Sequence, residues 1–120
     1  MVMKFDPLEY LDRFDHTIDD DGFITINEGF YCNGKGLTKL PWKFKEVNGD
    51  FCCSSNYLIT LNGAPERVSG GFDCSNNKLI TLKGGPRIVG EEYDCCNNLL
   101  TTLRGAPKIV NGCFQKSRRF

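Results

Sequence analysis

The sequence predicts a solenoid: an α/β-type but mostly β arc of about four 21-residue coils, with a parallel sheet and a short helical cap at its N-terminal end. Three observations predict it. Residues 51–70, FCCSSNYLITLNGAPERVSG, return as FDCSNNKLITLKGGPRIVG at 72–90 and as YDCCNNLLTTLRGAPKIVNG at 93–112. Phe30, Phe51, Phe72, Tyr93 and Phe114 fall 21 residues apart, and so do Cys32, Cys53, Cys74 and Cys95. A unit this short cannot bury its own apolar face, so successive units must stack.

The elements follow in chain order. FDPLEYLDRFD, residues 5–15, reads as a helix with Asp6 as its cap, Pro7 at its first position and Glu9 completing a capping box. Leu8, Leu11 and Phe14 are then expected to face the first coil. Residues 22–26, GFITI, alternate as a strand that leads into it. Residues 1–29 thus form a cap and 30–120 the solenoid, in a single domain.

Within each coil the aromatic and cysteine columns, two residues apart, describe a short strand with both side chains inward. Asn56, Asn77 and Asn98 turn the chain, their amides placed to bond backbone groups of the adjacent coil. Leu37, Leu58, Leu79 and Leu100 fill the interior, followed by Leu40, Leu61, Leu82 and Leu103. Gly-Ala-Pro or Gly-Gly-Pro then turns the chain again, glycine supplying positive φ. A valine column, Val47, Val68, Val89 and Val110, closes the unit. The strands are expected to align into one parallel sheet.

The stretch F-x-C-x-x-N-x-L-x-x-L resembles the leucine-rich-repeat core, with Phe72 and Cys74 in the two strand positions, Asn77 as the asparagine and Leu79 as the next leucine. The wording C-S-N-N-x-L-x-T-L-x-G-x-P-x-x-V-x-G is similar to that of short repeat proteins of bacteriophages and some bacteria. The first unit departs from it at Lys35, Trp42 and Phe44, as suits a coil that caps rather than repeats. The resemblance implies a leucine-rich-repeat arc that binds protein. Its phage setting implies a host protein as target, with inhibition of a host enzyme or antiviral defence as the use.

Composition excludes several alternatives. Fifteen basic and fifteen acidic residues cancel, so no global field draws the protein to nucleic acid or to a membrane. No apolar run has the length of a membrane span, and the first residues lack the layout of a secretory signal, so a cytoplasmic location is expected. Seven cysteines raise disulfides and zinc, but the number is odd, His16 is the sole histidine and no C-x-x-C pair exists. The four periodic cysteines are expected as buried thiols behaving as small hydrophobes. No metal or cofactor is expected.

Residues 19–28, DDDGFITINE, carry part of a calcium-loop pattern, yet Thr17 stands where the first acid should ligate and no helix follows Glu28. An acidic turn explains the same residues. Cys52, Cys96 and Cys113 lie off the buried column as candidate nucleophiles, but His16 sits in the N-terminal cap and no Ser-His-Asp or paired-carboxylate arrangement stands out, so no enzyme is expected.

The period also names the outward residues. Tyr31, Cys52, Asp73, Asp94 and Gln115 form one strand column, flanked by Asp50 and Glu92. This partly acidic stripe is the expected partner-binding surface, and substitutions in it are expected to leave folding nearly intact. Lys83, Arg87, Arg104 and Lys108 collect on the return side, with Lys116, Arg118 and Arg119 beyond, but without the interleaved aromatics that single-stranded nucleic acid needs. The last unit keeps Phe114 and loses the asparagine and leucines that should follow. Its edge is therefore expected either to join a second copy, as a self-assembling module would, or to be covered by Phe120.

Overall fold

The computed structural model describes residues 5–117. A short helix, α1 (Pro7–Leu11), opens it. Asp6 Oδ1 accepts the N–H of Leu8 at 3.1 Å and of Glu9 at 3.3 Å, and Pro7 takes the first position, where an N–H would go unused. The helix is shorter than the 5–15 expected, and it docks differently. Leu11 is buried, but Leu8 is 71% exposed. Phe14 packs on the core as expected, and Phe5 and Tyr10 pack there in place of Leu8. Tyr10 and Phe14, four residues apart, bring two rings onto Phe30, at 6.1 and 4.5 Å between centroids, and two rings cover more of the first coil than one leucine would.

Beyond α1 the chain turns into a hairpin, β1 (His16–Ile18) and β2 (Ile24–Ile26), paired antiparallel. The rest is a β-solenoid. Its strands are β3 (Phe30–Tyr31), β4 (Phe44–Val47), β5 (Phe51–Cys52), β6 (Arg67–Val68), β7 (Phe72–Asp73), β8 (Ile88–Val89), β9 (Tyr93–Asp94), β10 (Ile109–Val110) and β11 (Phe114–Gln115).

These strands form two sheets rather than the one expected. The aromatic strands align as β3-β5-β7-β9-β11, all parallel. The valine strands make a second ladder, β4-β6-β8-β10, which β2 extends in parallel and β1 closes antiparallel. The extra sheet has a simple cause. In-register stacking sets every backbone group of the valine segment against its counterpart in the next coil, and a pairable backbone pairs. The chain bends at residues 69–70, between the buried Val68 and Phe72, and that bend divides the two ladders.

The inward columns are filled as the period requires. Phe30, Phe51, Phe72 and Tyr93 are fully buried, as are Cys32, Cys53, Cys74 and Cys95. The rings stack from coil to coil, Phe51 on Phe72 at 5.3 Å and 7°, and Phe72 on Tyr93 at 5.4 Å and 13°. The asparagines span coil boundaries. The Asn77 amide nitrogen donates to the carbonyls of Cys53, Cys74 and Ser75, each at 3.1 Å, and Asn56 and Asn98 repeat the pattern one coil to either side.

Two turns per coil need left-handed backbone. One uses Gly63, Gly84 and Gly105 at φ 94, 88 and 88°. The other places Ser55, Asn76 and Asn97 at φ 56–57°. The departures in the first coil serve the cap, as expected: Trp42 packs against Phe5, Tyr10 and Phe30, and its Nε1 donates to the Pro7 carbonyl at 3.0 Å. No helix among the described residues is long and apolar enough to cross a membrane.

Candidate binding groove

Strand pairing brings together the outward residues that the period nominates. Tyr31 lies in register with Cys52, Cys52 with Asp73, Asp73 with Asp94, and Asp94 with Gln115. Neighbours in this column are therefore roughly 4.8 Å apart, the spacing of paired strands. Asp50 and Glu92 stand beside it, and all seven residues line one open groove of about 430 Å³. Tyr31, Asp50, Glu92 and Gln115 are exposed, while Cys52, Asp73 and Asp94 are half-buried.

Gly71 belongs to the same wall, between Asp50 and Glu92 in the flanking column. A Cβ there would come within 3.1 Å of the Glu92 carboxylate, so glycine leaves the opening between the two acids. Sequence reasoning passed over it because a missing side chain does not look like a ligand.

The carboxylates are held by backbone. Asp50 Oδ1 accepts the Gly71 N–H at 2.8 Å, one coil onward, and Oδ2 lies 3.5 Å from the Tyr31 hydroxyl, one coil back. Asp73 Oδ1 accepts from both the N–H (2.9 Å) and the hydroxyl (2.6 Å) of Ser75. Asp94 Oδ1 accepts the Cys96 N–H at 2.9 Å. Each of these three aspartates thus fixes its orientation with one oxygen. This corrects the expectation that the stripe can be replaced at no cost to folding: lysine at Asp73 or Asp94 would remove a turn-forming bond as well as a charge. The signal was present as D-x-S and D-x-C, the two-residue reach of an aspartate turn.

Among the described residues, none of Asp50, Asp73, Glu92 and Asp94 forms a salt bridge. Asp73 and Asp94 are direct cross-strand neighbours, and like charges so placed repel. Loss of water and then the charge of Asp50 push the Tyr31 phenol above its ordinary value, so it stays a neutral donor at physiological pH. Burial, and then Asp94, raise Cys96 likewise.

The opposite side is less basic than expected. Arg87 Nε pairs with Glu66 Oε1 at 3.3 Å, and Glu66 interrupts the cationic run at its own coil. Arg118 and Arg119 lie outside the described residues. Asp19, the third position of the calcium-like pattern, uses Oδ1 to accept the N–H groups of Asp21 and Phe23, both at 2.9 Å, which shapes the β1–β2 turn. His16 sits in β1, its Nδ1 2.8 Å from the Phe14 carbonyl.

A second outward feature was not anticipated. Tyr57, Ile59, Ile80 and Leu99 are 58, 63, 59 and 57% exposed, around the turn that follows each asparagine. The repeat hides them because they alternate with the buried leucines of N-x-L-x-T-L, and their apolar character reads as core.

Compared with known proteins, the chain matches no family model, no curated protein and no solved structure.

Proposed function

We propose that this protein is a binding module that engages a protein partner through the groove on the aromatic-strand sheet. One observation carries the reading: four carboxylates, none salt-bridged among the described residues, stand with the exposed Tyr31 on a regularly spaced face whose rigidity comes from the coils beneath. Such a face suits a partner presenting lysine or arginine, whose charge would relieve the repulsion between Asp73 and Asp94. Tyr31 adds an aromatic ring of the kind that anchors interfaces. The similarity of the repeat to phage and bacterial repeat proteins points to a bacterial host protein, whose activity the bound solenoid would block. Seven free thiols suit the reducing cytoplasm in which such a target would be met.

The test is paired affinity capture from bacterial lysate, using the native chain and a variant carrying Asp73→Asn, Glu92→Gln and Asp94→Asn. Asparagine keeps the turn bonds and removes the charge. A stoichiometric partner held by the native chain and lost by the variant supports the reading. Equal recovery by both overturns it.

A further inference from the structure

Each coil has a side that carries no strand. It runs from the asparagine turn to the glycine turn, over residues 36–41, 57–62, 78–83 and 99–104. Backbone bonds keep its rows in step: the N–H groups of Tyr57, Lys78 and Leu99 donate to the carbonyls of Leu37, Leu58 and Leu79 at 2.7, 2.9 and 2.8 Å. Leu58, Leu61, Leu79 and Leu82 point inward from this side and are fully buried, so the residues between them face out.

Charges that cancel over the whole chain do not cancel here. None of the fifteen acidic residues falls in these four segments, whereas Lys39, Lys78, Lys83 and Arg104 do. All four cations are exposed, and none is salt-bridged among the described residues. The acids that come nearest are engaged at its margins. Asp6 and Glu9 of α1 share a hollow with Lys35, before the first segment, and Glu66 pairs with Arg87 beyond the glycine turn. Among the cations stand Tyr57, Ile59, Ile80 and Leu99, each more than half exposed. One side of the solenoid thus holds both cations without counter-ions and large apolar side chains without cover.

We infer that this side docks on a negatively charged lipid bilayer surface. Tyr57, Ile59, Ile80 and Leu99 enter the interface, and the four cations meet the phosphates around them. Charge complementarity selects an anionic occupant, and the apolar residues select among anions. A nucleic acid would answer the charges but offer nothing to three aliphatic side chains. A lipid interface accepts projecting apolar groups without a matching pocket, and it gains with each one inserted. The binding groove lies on the aromatic-strand sheet instead, so the inference stands whether or not the groove binds a partner.

Cosedimentation with lipid vesicles tests this on the full chain. One set of vesicles mixes phosphatidylglycerol with phosphatidylcholine, and the other is phosphatidylcholine alone. The chain should bind the mixed vesicles, bind the neutral ones far more weakly, and be released as salt rises. A basic residue near an anionic surface contributes roughly fivefold, so Lys83→Gln/Arg104→Gln should weaken binding roughly 25-fold. Ile59→Thr/Ile80→Thr extends the residue type that Thr38 and Thr101 already place in that column. It should weaken binding roughly tenfold or more, because less apolar area enters the interface. Circular dichroism confirms that the variants are folded, and Leu99→Gln serves if the threonine pair is not. Failure to bind the mixed vesicles overturns the inference. So does binding that the folded threonine or glutamine variants leave unchanged. Equally tight binding to single-stranded RNA, indifferent to the threonine pair, overturns it in favour of nucleic acid.

Discussion

The side-chain oxygen of Asn77 accepts the backbone N–H of Leu58 at 2.9 Å, while its nitrogen holds carbonyls on both coils that it joins. Without this buried amide the Leu58 N–H would be orphaned, whereas the carbonyls of Cys53, Cys74 and Ser75 would each keep a second donor, from Asn56, Asn98 and Ser55. Asn77→Ala should therefore cost about 2 kcal/mol, because one orphaned buried group costs roughly 1–3 kcal/mol. Asn77→Asp should cost a similar amount, since a carboxylate cannot donate to three carbonyls. Urea denaturation measures both. An unchanged midpoint would mean that the ladder is incidental.

Tyr93 occupies a column otherwise held by phenylalanine, and its buried hydroxyl has no nitrogen or oxygen partner among the described residues. Its nearest company is thiol, chiefly that of Cys74, a weak hydrogen-bonding group. Tyr93→Phe keeps the ring stack and removes the unsatisfied oxygen, so it should stabilise the fold by about 1 kcal/mol. A loss of stability in the same denaturation assay would show that the Tyr93–Cys74 contact matters more than its chemistry suggests.

The thiol ladder makes stability fall in alkali. Burial holds Cys32 up to about 12 and Cys95 up to about 11, and it lifts Cys53 and Cys74 well above the ordinary 9.0. In the unfolded chain these thiols ionise near pH 9, but in the fold they keep their protons. The folded state therefore binds more protons above pH 9, and stability drops as pH rises towards the folded values. Below pH 9 the contribution is fully present. Each such thiol removes roughly 1.4 kcal/mol per pH unit in that window. Melting temperature followed from pH 8 to 11 should decline, and Cys53→Ala should flatten the decline. A level profile would contradict the buried column.

Ser55 holds φ 56° where the next two coils use asparagine. Serine is uncomfortable in left-handed backbone, and asparagine visits it several times more readily. The side chain is exposed, so Ser55→Asn should stabilise by about 0.5 kcal/mol without disturbing the packing. Thermal melting of the single variant decides it, with a lower melting temperature as the contrary result.

The 21-residue period made the inner columns legible, because each repeated residue type does one job: ring stacking, thiol filling, amide bridging, turning. It exposed the groove by the same logic, since a residue between two inward neighbours on a strand must point outward. What lay outside the period was harder to read. The β1–β2 hairpin occurs once, and apolar spacing points to Leu8 as a cap contact where the structure uses Tyr10, because spacing ignores how much area a ring covers. The second sheet was missed because Val47 and its counterparts read as interior filler, although their flanking residues carry pairable backbone. The aspartate turns at Asp73 and Asp94 were missed because a charge on a strand face reads first as surface.

Titration of the captured partner tests the binding account most directly, comparing the native chain, the Asp73→Asn/Glu92→Gln/Asp94→Asn variant and an Ile59→Ser/Ile80→Ser variant. Each is measured by calorimetry at low and at physiological salt. The groove variant should bind roughly 100-fold more weakly or worse, the native affinity should fall as salt rises, and the isoleucine variant should bind normally. Unchanged affinity in the groove variant, or loss confined to the isoleucine variant, would contradict the account and move the partner to the apolar turn face.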